Sequence, residues 1–362
     1  MSRLGSVSTC CAMLLGLAQG ARAQESHTTL EDTGRELLIE VGPVDLPAPM
    51  GMDMAGHEHE AVFPPLGIVT VPADGFLYGF DYEVLDSQGN QLPSSIVHHF
   101  NVIDPDHREL FLPISRRVMA AGGETGGQSM PWLLFGYPVS AGQRMVVSVM
   151  LHNPTGEAHS GVSLRIRLKY VKAGRPWPFF QVYPYQLDVA FPAGDKGFDL
   201  PPGESSRSYE ASPAVAGRLM VMGSHLHELA TKIVFEDVTD DKILWEGIPT
   251  TEGAEPTGIT IGRMYRKFGT KIFPDHRYRV TVYYDNTTGA TIPDGGMGVV
   301  GGVFMPAMGE RWPAADLSDP LYVLDRAHYM REVRGKYDEI REGGGQVAES
   351  DHEHKAGQEH RN

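Results

Sequence analysis

The chain has 362 residues, 41% of them hydrophobic and 21% charged, with a formal net charge of −15. Length and composition suit two globular domains with room for buried cores. The acidity argues against nucleic acid or an anionic membrane as a partner, and 42 glycines with 26 prolines favour short strands and tight turns over long helices.

Residues 1–23 read as a signal peptide. Arg3 supplies a positive start, Cys10 to Ala18 an apolar core, and Ala21-Arg22-Ala23 an A-x-A cleavage site. The core is too short to span a bilayer, and no later hydrophobic segment reaches transmembrane length. A secreted or periplasmic protein without a membrane span is therefore expected. Both cysteines, Cys10 and Cys11, lie in this segment, so the mature chain would hold neither thiol nor disulfide. A lipid anchor on one of them is disfavoured by the little apolar sequence that precedes it.

Residues 24–60 read as a flexible N-terminal segment with one strand-like run, Glu36-Leu37-Leu38-Ile39-Glu40-Val41. Met50, Met52 and Met54, followed by His57 and His59, are either soft and borderline metal ligands or a loop that is merely methionine-rich. Residues 61–175 form a predicted first β domain, with runs such as Gly67–Val71, Phe76–Phe80, Ile96–Ile103 and Met145–Leu151 separated by turns at Gln88-Gly89-Asn90 and Asn153-Pro154-Thr155-Gly156. Ala173 to Pro178, with two prolines, reads as a linker. Residues 176–310 form a second β domain, including Ile243–Trp245, Tyr278–Tyr284 and Met297–Met305. Residues 311–362 give a C-terminal helix from Leu321 to about Glu342 and a disordered tail that carries His352 and His354.

An internal similarity links the two β blocks. Arg144 to Gly156 aligns without gaps on Arg277 to Gly289, sharing Arg, two Val, Asn, Thr and Gly. A histidine pair lies upstream in each: His98-His99 in the first, His225-x-His227 in the second. From His99 to His152 is 53 residues, and from His227 to Asp285 is 58. Two copies of one β fold are implied, each with two histidines near the same place.

On a strand, His225 and His227 share a face and Leu226 takes the other. Such a pair makes a metal site or, equally, two surface histidines. His98 and His99 would face opposite ways on a regular strand, so binding one metal together requires a bulge or a strand end there. His152 completes a three-nitrogen set with His98 and His99. Met297 adds a thioether to His225 and His227, and thioethers favour Cu(I) over zinc or iron.

These residues resemble the copper type II, ascorbate-dependent monooxygenases, the family that hydroxylates peptidylglycine and dopamine. The six ligand positions occur in the family's order, His98, His99, His152, His225, His227 and Met297, across roughly residues 61–308. The resemblance implies an all-β protein of two tandem jelly-roll-like β-sandwich domains. It also implies two copper ions per chain, with ascorbate or a similar one-electron donor as co-substrate. Dioxygen and a small organic molecule would be the other substrates, the latter hydroxylated at an aliphatic C–H beside the copper held by His225, His227 and Met297. Two departures bear on the substrate. The family's peptide-amidating members have arginine where this chain has Gly223 and tyrosine where it has Gly301. The family disulfides are also missing.

Other classes fit less well. A multicopper oxidase needs a cysteine ligand, a zinc hydrolase leaves Met297 unused, and a cupin built on His225, His227 and His276 lacks its second motif. A non-catalytic copper-binding or copper-tolerance protein stays open, as does a structural protein with incidental histidines. His107, His159 and His276 are expected to be solvated. Glu228 is expected to be exposed or to orient a ligand imidazole.

Overall fold

The computed structural model describes residues 27–48, 61–123, 125–174, 176, 178–190, 197–250, 260–261 and 264–330. The protein is all-β, and its one α-helix among the described residues is Pro320–Tyr329. Eight strands make the first sandwich: Glu36–Leu46, Gly67–Thr70, Gly75–Leu85, Val97–Arg108, Ser115–Ala121, Phe135–Val139, Arg144–Leu151 and His159–Lys172. One sheet orders the first, eighth, third and sixth of these side by side. The other orders the second, seventh, fourth and fifth. That is the double Greek key of a jelly roll. Alternate residues such as Leu37, Ile39 and Val41, or Leu164, Ile166 and Leu168, fill the core between the sheets.

The second sandwich repeats the plan with Tyr183–Asp188, Gly203–Ala211, Gly217–Leu226, Ala230–Asp237, Lys242–Gly247, Met264–Ile272, Tyr278–Asn286 and Gly298–Pro306. Its two sheets show the same strand orders. The equivalence extends to single hydrogen bonds. Asn153 Oδ1 accepts from Thr155 N (3.1 Å) and Thr155 Oγ1 (2.7 Å), and Asn286 Oδ1 accepts from Thr288 N (3.1 Å) and Thr288 Oγ1 (2.7 Å). Asn153 Nδ2 ties Pro47 O and Glu157 O as Asn286 Nδ2 ties Leu200 O and Ala290 O. Gly156 and Gly289 close these turns at φ +82° and +79°, a conformation that favours glycine.

Two boundaries differ from the sequence reading. The segment expected to be flexible contributes the strands His27–Asp32 and Glu36–Leu46, and Leu37, Ile39, Val41 and Leu46 are core residues. Period-two apolar alternation inside a polar stretch is enough to seat a strand between neighbours. The methionines and histidines of 50–59, the expected signal peptide at 1–23, and the tail with His352 and His354 lie outside the described residues. The second change joins the two sandwiches. Leu110, Phe111, Leu112 and Ile114, in the hairpin after Val97–Arg108, lie in the core of the second sandwich. The Phe111 ring packs edge-on against Tyr185, Phe235 and Tyr278 at 6.0–6.1 Å.

Charges buried beside this plug are partnered. Glu109 accepts from Arg117 N at 2.7 Å, and burial pushes its carboxyl up in pKa. Arg117 makes a two-pronged ion pair with Asp325 of the helix. Arg116 lies under the rings of Trp312 and Tyr183, 4.5 and 5.1 Å from their centroids. The helix starts with Asp319 accepting from Leu321 N and Pro320 in its first turn. Tyr322 and Tyr329 then bond to Pro105 O and Ser115 Oγ. The helix was expected to run to about Glu342; residues beyond Met330 are not described.

Candidate metal centre

His98 and His99 open the fourth strand of the first sandwich. The ladder with Arg144–Leu151 pairs His99 with Met150 and Val97 with Leu151, leaving His98 as an extra residue. This is the irregularity that two adjacent ligands require. Their rings lie 4.3 Å apart, centroid to centroid. His152 follows the neighbouring strand directly, its N–H donating to Ile96 O at 3.0 Å, and its ring is 5.4 Å from that of His98.

His225 lies near the end of the third strand of the second sandwich, and His227 just follows it. Between them Leu226 is fully buried in the core, which anchors the pair with both imidazoles on the other face. Paired with this strand, Gly298–Pro306 sets Val299 opposite His225 and Gly298 opposite Leu226. One step further along the same register, Met297 comes level with His227.

A tyrosine fixes this end. The buried Tyr284 hydroxyl accepts from Met297 N (2.8 Å) and His227 N (3.3 Å) and donates to Met297 O. Burial pushes its phenol up to about 12 in pKa, so it stays neutral. Tyr284 immediately precedes Asp285, the residue aligned with His152, and nothing in its sequence context marked it.

The sequence reading divided the ligands into one set per domain. In the structure the five histidines converge on one cluster between the sandwiches. The rings of His98 and His99 lie 6.2 and 6.3 Å from that of His227, and the His99 and His225 rings are 5.0 Å apart. His99 Nε2 and His225 Nε2 are in hydrogen-bond contact at 3.1 Å. His99, His225 and His227 each offer a ring nitrogen, and the three lie within 4.8 Å of one another.

The repeat itself also needs a correction. The residues matching His98 and His99 are Thr231 and Lys232, because Ala230–Asp237 is the strand equivalent to Val97–Arg108. His225 and His227 belong to the other sheet of their sandwich. The two pairs are therefore not copies of each other, and their similar spacing to His152 and Asp285 is coincidental.

Gly223 and Gly301 are directly paired across the same two strands, two residues from His225 and Val299. No side chain at either position can grip a substrate carboxylate. Glu228 is exposed. Of the three histidines expected to be solvated, His107 is exposed and His159 and His276 are half-buried, and each is hydrogen-bonded: His107 Nδ1 to Asp104 (2.8 Å), His159 Nε2 to Thr155 Oγ1 (2.6 Å) and His276 Nδ1 to Asp237 (2.8 Å). His276 groups with Asp237 and Asp240, apart from the five-histidine cluster.

No family model and no curated protein matches this chain. Among solved structures, PNGF-II in a P21 crystal form is similar over 75% of this chain, with 9% identity and a TM-score of 0.33; the chain spans 66% of that protein's length. An archaeal virus protein with a triple jelly-roll fold is similar over 69% of the chain, with 8% identity and a TM-score of 0.20; 59% of it is covered. Among the described residues no helix is long and apolar enough to cross a membrane.

Proposed function

We propose that this protein is an exported copper-dependent monooxygenase that hydroxylates an aliphatic C–H of a small organic molecule with dioxygen and a one-electron donor such as ascorbate. The observation that carries the reading is the convergence of five histidines from both jelly rolls, with Met297 level with His227. The donors suit copper. Imidazoles and a thioether, without a carboxylate among the three converging groups, are a borderline-to-soft set that hard cations do not select. His98, His99 and His152 would hold one ion, and His225, His227 and Met297 the other. Bound copper would supply one-electron redox chemistry and activation of dioxygen.

The chain's own residues set the geometry. Leu226 anchors the His225–His227 pair, and Tyr284 fixes the backbones of His227 and Met297 at once. The Gly223–Gly301 pair leaves the strand surface beside His225 bare, which favours a substrate other than a peptide ending in glycine.

Metal analysis after reconstitution should find about two coppers per chain, one for each three-ligand set, and ascorbate-dependent oxygen uptake should follow on a panel of amines, peptides and phenols. Met297→Ile should abolish uptake while copper stays on His98, His99 and His152. Only trace copper would remove this reading. Tight copper without oxygen uptake would instead favour a copper-holding protein, a role that the close approach of His99 to His225 also suits.

A further inference from the structure

A hydrogen-bond contact in the cluster crosses between the two sets that a two-copper centre requires. His99 comes from the first sandwich and His225 from the second, and their Nε2 atoms are 3.1 Å apart. Two imidazole nitrogens on one tetrahedral ion, each at about 2.0–2.1 Å, stand about 3.3–3.4 Å apart. The observed separation is already close to that of two ligands on one ion. His227 joins them with all three ring nitrogens inside 4.8 Å. The ring planes of His99 and His225 are steeply inclined, at 77°, and those of His225 and His227 at 89°, while those of His99 and His227 are nearly parallel, at 16° with centroids 6.3 Å apart, so the His225 ring stands across the other two. Small side-chain rotations would turn the three nitrogens onto one centre.

From this arrangement we infer that the first copper ion to bind is held jointly by His99, His225 and His227. The second ion then divides the ligands into His98, His99 and His152 on one side and His225, His227 and Met297 on the other. This deepens the copper reading above and rests on it. A consequence is that the first ion ties the two sandwiches together, since its ligands come from both. His98 and His152 stay beside the shared ion, with the His98 ring 4.3 Å from that of His99 and 5.4 Å from that of His152, ready to receive the second.

The test is an anaerobic titration of the full chain with Cu(I) against a chromogenic Cu(I) chelator, together with X-ray absorption at one and two equivalents. At one equivalent the wild type should show nitrogen neighbours only; a sulfur neighbour, from Met297, should appear with the second. His99→Ala and His225→Ala should each weaken the first equivalent by more than the roughly 10–100-fold that loss of an outer partner costs. The double variant should be no weaker than either single, because both remove the same site. His152→Ala should leave the first equivalent unchanged. Losses that multiply in the double variant, or sulfur at one equivalent, would overturn the shared site and leave the two-copper reading standing. Failure to bind copper at all would instead remove the reading on which it rests. The absorption measurement needs no variant, so a misfolded alanine mutant does not leave the question open.

Discussion

In the first jelly roll, the start of the fourth strand and the end of the seventh carry His98, His99 and His152. In the second, the same three positions are Thr231, Lys232 and Asp285, which line an open cleft with Glu204 and Tyr283. The neighbouring turn is retained almost bond for bond, from Asn153 to Asn286 and from Gly156 to Gly289. The comparison separates two kinds of constraint. Residues that satisfy buried backbone groups recur because the turn fails without them. Residues that carry chemistry are free to move, and in the second copy they sit on a different strand of a different sheet. The centre arises because strand ends of one sheet in the first roll meet strand ends of the opposite sheet in the second.

The largest expected effect tests what only the first roll has. Its long hairpin plugs the second core and pairs Arg117 with Asp325, side chains 5% and 3% exposed. The equivalent hairpin of the second roll is a short turn between Asp237 and Lys242. Asp325→Ala leaves a buried guanidinium without its carboxylate and should cost about 3–5 kcal/mol of stability in urea unfolding. A loss below about 1 kcal/mol, the scale of a surface pair, would mean that the helix does not brace the hairpin.

Next in size are the paired asparagines. Asn153→Ala and Asn286→Ala each strip both a donor and an acceptor from buried backbone, and each should cost about 1–3 kcal/mol. The sharper expectation is that the two losses agree to within about 0.5 kcal/mol. Unequal losses would show that the shared turn bears different loads in the two copies.

Much of the scaffold could be read from the sequence, and the reasons are local. Period-two runs place Leu37, Ile39 and Val41 or Val280, Val282 and Tyr284 on one face. The gapless match of 144–156 on 277–289 announced the repeat. The bulge at His98 followed from asking how adjacent histidines share a metal. What could not be read is non-local. Alternation says which face a residue takes but not which sheet its strand joins, so a 53-residue and a 58-residue spacing looked equivalent when the true partner of His99 is Lys232. Leu110 to Ile114 form an apolar run in a hairpin, and nothing in it says that the other sandwich supplies its cover. Tyr284 looked like one more apolar strand residue, since only the returning Met297 segment gives its hydroxyl a role.

Tyr284→Phe tests that role within the second roll. The ring and its packing remain, while three hydrogen bonds to His227 and Met297 are lost. A fall of about 10–100-fold in affinity at the Met297 set is expected, read as loss of the copper–sulfur signal at two equivalents with the nitrogen neighbours of His98, His99 and His152 unchanged. Because the position of Tyr284 is held in the first roll by Leu151, which has no hydroxyl, equal weakening of both sets would show a general loosening rather than a local one.

The smallest effect concerns a buried aspartate whose partner from the start of the seventh strand differs between the copies, although Asp104 also faces His107 Nδ1 at 2.8 Å. The buried Asp104 of the first roll accepts from Gln143 Nε2 at 2.6 Å, and its counterpart Asp237 pairs at 2.8 Å with His276, the residue that aligns with Gln143. An amide donates equally at any pH, whereas an imidazole, which can donate through one N–H when neutral, gains more from the carboxylate when protonated. The hydrogen bond to Asp237, with the charges of Asp237, Asp240 and Asp275, raises the pKa of His276 above its ordinary value near 6.5. A raised folded-state pKa contributes stability that is complete below the unfolded value and lost as pH rises through the folded one. The wild type should therefore lose stability as pH rises above the ordinary histidine value. His276→Gln, which writes the first roll's residue into the second, should flatten that slope and leave copper binding unaltered. Urea midpoints taken from about pH 5 to pH 9 read the difference, and an unchanged slope in the variant would place the titrating group elsewhere and make His276 and Gln143 interchangeable donors.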